Sequence, residues 1–291
     1  MNTLVIGGTR FMGVHLVKQL LEDGHNVTIA TRGKTYDPFG NTVKRIVFDR
    51  TKKSSIEQAF LDKEFDIVFD NIAYCANDVY ILAEHFPGKR YVMLSTTAVY
   101  TKTLDTRECD FDPLAHDVVL CYRNEFPYAE SKRHAERMLA QNYPTLNSVA
   151  VRFPFVVGKD DYTNRLYFYI EHICKQIPMY IDNYESPMAF VRSDEAGRFL
   201  AYFCKNTFIG KINGASSGTI SIKEICDYVT EKTGKKPILS SDGDAAPYNG
   251  EPPYSINTEL ASSIGYTFTP LHEWIYQLID FYIDEIKKEN L

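Results

Sequence analysis

The chain has 291 residues, a net charge of −6 and a pI near 5.7, so no global positive potential favours nucleic acid as a partner. No stretch reaches the about 18 consecutive apolar residues that a membrane-spanning helix needs, so we expect no membrane partner. The six cysteines include no Cys-x-x-Cys pair and the seven histidines no His-x-x-x-His pair, which predicts reduced thiols, a cytoplasmic location and no metal site.

The first predicted strand, residues 3–7, runs into a glycine-rich turn so close to the start of the chain that we expect no leader segment. Gly7 and Gly8 allow a tight turn and close approach of the backbone to a pyrophosphate, and Gly13 allows the next helix to pack on the strand. Arg10 replaces the middle glycine of a G-x-x-G-x-x-G spacing and places a fixed positive charge beside the phosphates. The turn predicts a dinucleotide site formed by Gly7, Gly8, Thr9, Arg10, Phe11, Met12 and Gly13.

Short apolar runs then alternate with helical patterns along the first half of the chain. This alternation predicts right-handed crossovers and a doubly wound parallel sheet, with ligands at the carboxyl ends of the strands. Ser54 and Glu57 have the spacing of a capping box and predict the start of a helix. We expect an α/β fold in which residues 1–157 form a Rossmann-type dinucleotide-binding domain and residues 158–291 a smaller, mixed, partly interleaved substrate-binding region. Further strands are predicted at residues 26–30, 45–49, 65–70, 90–96 and 148–153.

The second strand ends at Thr31 and Arg32, where enzymes selective for NAD usually have an acid that binds the ribose 2′-hydroxyl. Arg32 instead suits a 2′-phosphate, and Arg10 can lie near the same group. We therefore expect NADP as the preferred cofactor and NAD as the alternative; otherwise Arg32 is a solvated loop cation. Asp49, which ends the third strand, is expected either to bind the adenine amino group or to cap a helix. Its neighbour Arg50 is included among the cofactor-binding residues.

Tyr128 and Lys132 lie one turn apart at the start of a predicted helix. A phenol has a pKa of about 10, so it acts as a base near neutral pH only if that pKa falls by about 3 units. The Lys132 ammonium and a cationic nicotinamide both favour the phenolate, and the lysine can also bind the nicotinamide ribose. The same spacing recurs at Tyr228 and Lys232, which follow the predicted sheet and are expected to be a half-buried aromatic and a solvated lysine.

Three hydroxyl side chains, Ser95, Thr96 and Thr97, end the fifth predicted strand. Each can hydrogen-bond a substrate carbonyl or alcohol beside Tyr128. Alternatively, they satisfy backbone groups at the end of the strand.

The chain resembles the extended branch of the short-chain dehydrogenase/reductase superfamily, the NAD-dependent epimerases and dehydratases. The resemblance lies in three features that follow one another in the same order: the glycine-rich turn, the segment from Ser95 to Tyr100 and the Tyr128/Lys132 pair. The Gly-Gly-Thr-Arg-Phe turn is similar to that of an atypical subgroup that includes reductases and a plastid RNA-binding protein. The resemblance implies that Thr96 is the catalytic hydroxyl, four residues before Tyr100. It also implies cofactor contacts at Ile72, Ala73, Ser95, Phe153, Pro154 and Phe155.

Two positions depart from the nucleotide-sugar epimerases of this branch. Phe153 stands where those enzymes have an asparagine before the loop proline, and Pro187 stands where they have an arginine that holds the diphosphate. Thr97 and Ala98 also lack the additional acid–base pair of the dehydratases. A nucleotide-sugar substrate and a dehydration reaction are therefore disfavoured.

The second half of the chain is expected to supply the substrate side. Arg165 precedes an aromatic-rich helix and is a candidate contact for an anionic group of the substrate. Alternatively, Arg165 is a surface residue over an aromatic core. Thr97 is a second candidate contact for the substrate. Residues 239–255 predict a long loop able to cover the site. A final helix is predicted from Leu271 to about Lys288.

Together these features predict an NAD(P)-dependent oxidoreductase or epimerase, with sugars and sugar nucleotides among the candidate small-molecule substrates. Tyr128, Lys132 and Thr96 would couple proton transfer to hydride transfer at a carbonyl or hydroxyl carbon. The chain is expected to be a monomer or a homodimer. The alternative is a non-catalytic protein on the same fold that senses a dinucleotide or binds RNA; the acidic net charge and the intact Tyr128/Lys132 pair argue against it.

Overall fold

The computed structural model describes residues 1–289. Its strands are β1 (Asn2–Ile6), β2 (Asn26–Thr31), β3 (Lys44–Val47), β4 (Ile67–Asp70), β5 (Tyr91–Thr96), β6 (Ser148–Phe153), β7 (Phe155–Val157), β8 (Met179–Tyr180), β9 (Phe190–Arg192), β10 (Gly210–Asn213) and β11 (Asp244–Ala245). Seven of them form a parallel sheet in the order β10-β6-β5-β4-β1-β2-β3. The chain reverses direction across the sheet between β3 and β4, which confirms the predicted doubly wound α/β fold.

The helices cover both faces of this sheet. They are α1 (Met12–Glu22), α2 (Lys53–Phe60), α3 (Ala76–Glu84), α4 (Tyr128–Asn142), α5 (Arg165–Lys175), α6 (Ser193–Tyr202), α7 (Ile222–Thr233), α8 (Glu259–Ser263) and α9 (Ile275–Glu289). Val5 of β1 packs with α1 and α6, whereas Leu4 and Ile6 pack with α2, α3 and α4. The alternation of side chains along a strand therefore gives two apolar cores, one on each face. Within the described residues, no helix combines the length and the apolar character that crossing a bilayer requires.

The region after residue 157 contributes to both the sheet and a separate core. Its strand β10 pairs with β6, while α5, α7 and α9 surround a third apolar cluster. The segment 239–255, predicted as a long loop, includes β11, which pairs with β8. The final helix begins at Ile275, after a short 3₁₀ turn at Leu271–Glu273. The division of the chain at residue 157 stays a prediction.

The predicted capping box at the start of α2 is wrong. The helix begins at Lys53, with Lys52 as its N-cap and no side-chain cap. The neighbouring serine, Ser55, has its hydroxyl occupied, because it accepts a hydrogen bond from the backbone N–H of Asp49 at 2.9 Å.

A buried ion pair joins α4 to β6 beneath the carboxyl end of the sheet. Arg152 is fully buried and Glu136 is 2% exposed, and Arg152 Nε donates to Glu136 Oε1 at 3.0 Å. Ser95 Oγ donates to the same carboxylate at 2.5 Å. Arg152 Nη1 donates to the Tyr100 hydroxyl at 2.9 Å, and that hydroxyl donates to Asn213 Oδ1 at 2.6 Å. The network therefore connects α4 with β5, β6 and β10.

We expect Glu136→Ala to lower the free energy of unfolding by about 3–5 kcal/mol, because it leaves the buried Arg152 guanidinium without its carboxylate. Urea unfolding followed by circular dichroism measures the change. Glu171→Ala is the matched control, since it removes a helical carboxylate from a half-exposed i,i+4 pair with Lys175 that contributes about 0.3–0.5 kcal/mol. Equal losses in the two variants would contradict a stabilising role for the buried pair.

Candidate active site

Two glycines, one in the turn after β1 and one in the first turn of α1, leave no room for a side chain. Gly8 has a φ of +100°, and a Cβ there would lie 2.8 Å from Cγ1 of Val5. A Cβ on Gly13 would lie 2.7 Å from Cα of Gly8. The N-cap residue of α1 is Phe11, whose side chain cannot accept hydrogen bonds from the first backbone N–H groups. The start of α1 is thus suited to an anionic group.

A cavity of about 450 Å³ lies over this turn, and we call it the first cavity. Among its charged lining residues, Arg50 and Arg123 are held by carboxylates. Arg10 and Arg32 have no carboxylate partner within ion-pair distance anywhere in residues 1–289, although Arg10 lies 5.7 Å from the Tyr162 ring centroid. Predicted residues that line it are the seven from Gly7 to Gly13 together with Thr31, Arg32, Asp49, Arg50 and Ile72.

Three predicted cofactor contacts have structural partners of their own. Asp49 accepts hydrogen bonds from the backbone and the hydroxyl of Thr51, which hold its pKa below the usual range. Arg50 is buried, and its guanidinium donates to both oxygens of Asp70, at 2.6 and 2.9 Å. Ala73 is fully buried and lines neither cavity, and its carbonyl oxygen accepts a hydrogen bond from Lys132. The guanidinium of Arg50 therefore stabilises the wall of the first cavity.

A second cavity of about 320 Å³ adjoins the first. The two share five lining residues: Phe11, Met12, Asn71, Tyr74 and Leu94. Besides the predicted Phe11 and Met12, nine further predicted residues line the second cavity, namely Ser95, Thr96, Thr97, Tyr128, Lys132, Phe153, Pro154, Phe155 and Arg165.

Tyr128 is the first residue of α4, directly after Pro127, and its side chain is 52% exposed. Burial around the phenol nevertheless raises the pKa of Tyr128 to about 12, and a hydrogen bond with Thr96 and the charge of Arg165 act in the opposite direction. Lys132, which was expected to lower this pKa, is not among the groups that act on it in the protein alone.

Lys132 Nζ is buried and donates to the carbonyl oxygens of Ala73 and Leu94, both at 2.7 Å. The Tyr74 ring centroid lies 4.9 Å from it. Burial lowers the pKa of Lys132 to about 8, against the attraction of the buried carboxylate of Asp70. Lys132 is therefore an ammonium that loses its proton in mildly alkaline solution.

The hydroxyls at the end of β5 differ in what they can contact. Ser95 is 4% exposed and donates to Glu136, so its side chain is not available to a cofactor. Thr96 Oγ1 accepts a hydrogen bond from the backbone N–H of Ala98 at 3.1 Å. The Thr96 side chain also acts on the Tyr128 phenol and lowers its pKa. The second pair with this spacing, Tyr228 and Lys232, lines neither cavity, and the Tyr228 hydroxyl donates to Asp280 at 3.0 Å.

The lining residues of the second cavity that were not predicted from the sequence include Asn71, Tyr74, Lys102, Glu251 and Tyr254. Lys102 follows the predicted Ser95–Tyr100 segment by two residues, and Glu251 and Tyr254 lie in the segment 239–255, so nearness to these features was the available signal. In the described part of the chain, no three metal-ligating side chains are grouped to hold an ion.

Comparison with known proteins places this geometry in context. The chloroplast stem-loop binding protein of 41 kDa b from Arabidopsis thaliana is 28% identical over 123 residues, covering 38% of this chain and 32% of that protein. The chain thus matches about a third of that relative's length.

Two solved structures share the fold along the whole chain. A UDP-glucose 4-epimerase from Thermotoga maritima, solved with UDP-glucose, has a TM-score of 0.77 at 17% identity, covering 100% of both chains. MoeE5, solved with UDP-glucuronic acid and NAD, has a TM-score of 0.76 at 20% identity, also covering 100% of both. Residues 3–186 match the NAD dependent epimerase/dehydratase family. Because that match spans more than half of the sequence, this chain belongs to the NAD-dependent epimerase/dehydratase family of enzymes.

Proposed function

We propose that the chain is an NADP-dependent oxidoreductase or epimerase that acts at a carbonyl or hydroxyl carbon of a small molecule. The observation that carries this proposal is the position of Tyr128 and Thr96. Both side chains line the second cavity, which adjoins the first, and Lys132 lines the same cavity. A ligand that extends from the first cavity into the second would reach all three groups. In this proposal residues 1–157 hold the cofactor and residues 158–291 complete the substrate side.

The first cavity fits a phosphorylated dinucleotide. The glycine turn admits a pyrophosphate at the start of α1, and the amide of Asn71, shared by both cavities, has no partner for Oδ1 or Nδ2 in residues 1–289. Arg10 and Arg32, which lack carboxylate partners, support NADP over NAD, because a 2′-phosphate supplies a strong acceptor for a guanidinium.

When bound, the nicotinamide ring supplies or accepts a hydride at its C4 carbon. Tyr128 exchanges a proton with the substrate oxygen, and Thr96 hydrogen-bonds the same oxygen. With a pKa of about 12, the Tyr128 phenol is protonated at neutral pH and is ready to donate in the direction of carbonyl reduction. In the reverse direction, added positive charge beside the phenol is needed to lower its pKa.

Lys132 has a separate, positioning role in this proposal. An ammonium has three donors, and two are used by the carbonyls of Ala73 and Leu94. The third remains for a hydroxyl of the nicotinamide ribose.

Epimerisation and reduction share these steps. In epimerisation the hydride returns to the same substrate, and in reduction the oxidised cofactor leaves.

A second candidate, a dinucleotide sensor or RNA-binding protein, is favoured by the 123-residue similarity to the stem-loop binding protein. The net charge of −6 and the Tyr128/Lys132 arrangement favour the enzyme. A cytoplasmic location and a monomeric or homodimeric state complete the proposal.

We expect Tyr128→Phe to lower turnover on a panel of carbonyl compounds by about 10²- to 10⁴-fold, because the substrate oxygen loses its proton donor. The measurement is NADPH oxidation, with NADPH affinity determined in parallel by fluorescence titration. Tyr228→Phe is the control and should leave turnover unchanged. Tight NADPH binding without Tyr128-dependent turnover on any compound would favour the sensor instead.

We expect Arg32→Ala to raise the Kd for NADPH by about 10- to 100-fold and to change the Kd for NADH little, because a charge-assisted hydrogen bond of about 1.5–3 kcal/mol is lost only with the 2′-phosphate. Fluorescence titration measures both constants. Lys44→Ala, which removes an exposed cation from β3, should change neither. Tighter binding of NADH than of NADPH by the unaltered protein would refute the proposed preference.

We expect the Kd for NADPH to rise as the pH is raised from about 7 to about 9, because Lys132, with a pKa of about 8, loses the charge that strengthens its contact with the ribose. Because Lys132 is a basic group with a pKa lowered to about 8, its charge is present below about pH 8 and is lost above it. Lys132→Met should bind NADPH more weakly at neutral pH and without this dependence. A pH profile that is identical in both proteins would exclude the ribose contact.

A further inference from the structure

The second cavity contains a cation that no sequence motif indicated. Lys102 has a side chain only 13% exposed, and its Nζ lies 4.5 Å from the ring centroid of Tyr254 and 5.0 Å from that of Phe155. Aromatic faces attract a cation without neutralising it, so a largely dehydrated ammonium still needs an anionic partner. That partner is the carboxylate of Glu251, on the segment between β11 and α8.

Arg165 adds a second cation beside the same aromatic ring. Its Cζ lies 5.2 Å from the Phe155 ring centroid, and its Nε donates to the Thr163 hydroxyl at 3.0 Å. No carboxylate within residues 1–289 forms an ion pair with it. The charged residues that line the second cavity are therefore three basic ones, Lys102, Lys132 and Arg165, against one acid, Glu251. The cavity has a surplus of positive charge that an anionic ligand would neutralise.

The second cavity is also small and is bounded by an aromatic wall. Phe155 is backed by Tyr248 and Tyr254, at ring-centroid distances of 4.4 and 6.5 Å, and both tyrosines are fully buried. The volume of about 320 Å³ is near the lower end of the range for small-molecule pockets. The aromatic wall thus ends the cavity close to the two cations and favours a small ligand.

We propose that the substrate is a small carbonyl or hydroxyl compound that carries a carboxylate or phosphate group, and that this group binds Lys102 and Arg165 in place of Glu251. The presence of a reacting carbonyl or hydroxyl carbon rests on the proposed function, whereas the anion site rests on the charges of the cavity alone. Because Tyr128 lines the same cavity, the anionic group lies within the length of a small molecule from the reacting oxygen. Lys102 and Arg165 are specificity-determining residues in this scheme.

Calorimetric titration of the NADPH-saturated protein tests the proposal with D-glucose 6-phosphate, D-glucuronate, inorganic phosphate, neutral D-glucose and UDP-glucose. We expect at least one small anion to bind at least tenfold more tightly than D-glucose and more tightly than UDP-glucose. Lys102→Met and Arg165→Met should each weaken that binding at least tenfold. Glu251→Gln should strengthen it severalfold, a gain that misfolding cannot produce. Lys232→Met is the matched control, since Lys232 also lies over a ring, 5.1 Å from the Tyr228 centroid, and should leave binding unchanged.

Three outcomes overturn the proposal: equal affinity for D-glucose and the anions, preference for UDP-glucose, or the absence of any anion binding that depends on Lys102 and Arg165. Tyr128→Phe separates this proposal from the catalytic one, because inorganic phosphate has no reacting carbon and should bind this variant as it binds the unaltered protein. Anion binding without turnover on any carbonyl compound would reject the enzymatic function and leave the anion site standing.

Discussion

The second cavity depends on one buried ion pair. Arg152 is fully removed from water, which is tolerated only because Glu136 neutralises it and other groups accept its remaining hydrogens. Those acceptors are the Tyr100 hydroxyl and two main-chain carbonyls of the segment after it. The helix that carries Glu136 also carries Lys132, and the segment after Tyr100 carries Lys102. A single neutralised charge therefore positions two walls of the cavity relative to each other.

The charges that line the cavities contrast with those of the core. Two buried arginines, Arg50 and Arg152, are each neutralised by a buried carboxylate. Three arginines that line the cavities, Arg10, Arg32 and Arg165, form no ion pair with a carboxylate in residues 1–289. An unpaired guanidinium costs little beside water but gains strongly from a phosphate or carboxylate. The fold thus places positive charge without an ion-pair partner along the path from the glycine turn to Tyr128, although the chain as a whole is acidic.

Features that depend on neighbouring residues were accessible to sequence analysis. The buried strands appear as continuous apolar runs, and the turn at Gly8 is specified by steric limits within a few residues. Features that depend on distant contacts were not. The ion pair of Lys102 and Glu251 joins residues 149 positions apart, and Ser95 could not be assigned to Glu136 until α4 was placed beside β5. The capping-box prediction failed for a local reason: α2 begins at Lys53, so Ser54 lies inside the helix and is not its N-cap.

The sequence by itself determined the parallel sheet, the glycine turn before the first helix, and the placement of Tyr128 and Lys132 on one helix turn, because each follows from local periodicity and sterics. Only the tertiary structure decided the surroundings of that pair. Burial among segments far apart in the chain raises the pKa of Tyr128 to about 12 and lowers that of Lys132 to about 8. It also decided that Lys102 and Arg165 face the same cavity. Solvation and electrostatic interactions are properties of surroundings, and the surroundings of these groups come from the whole fold.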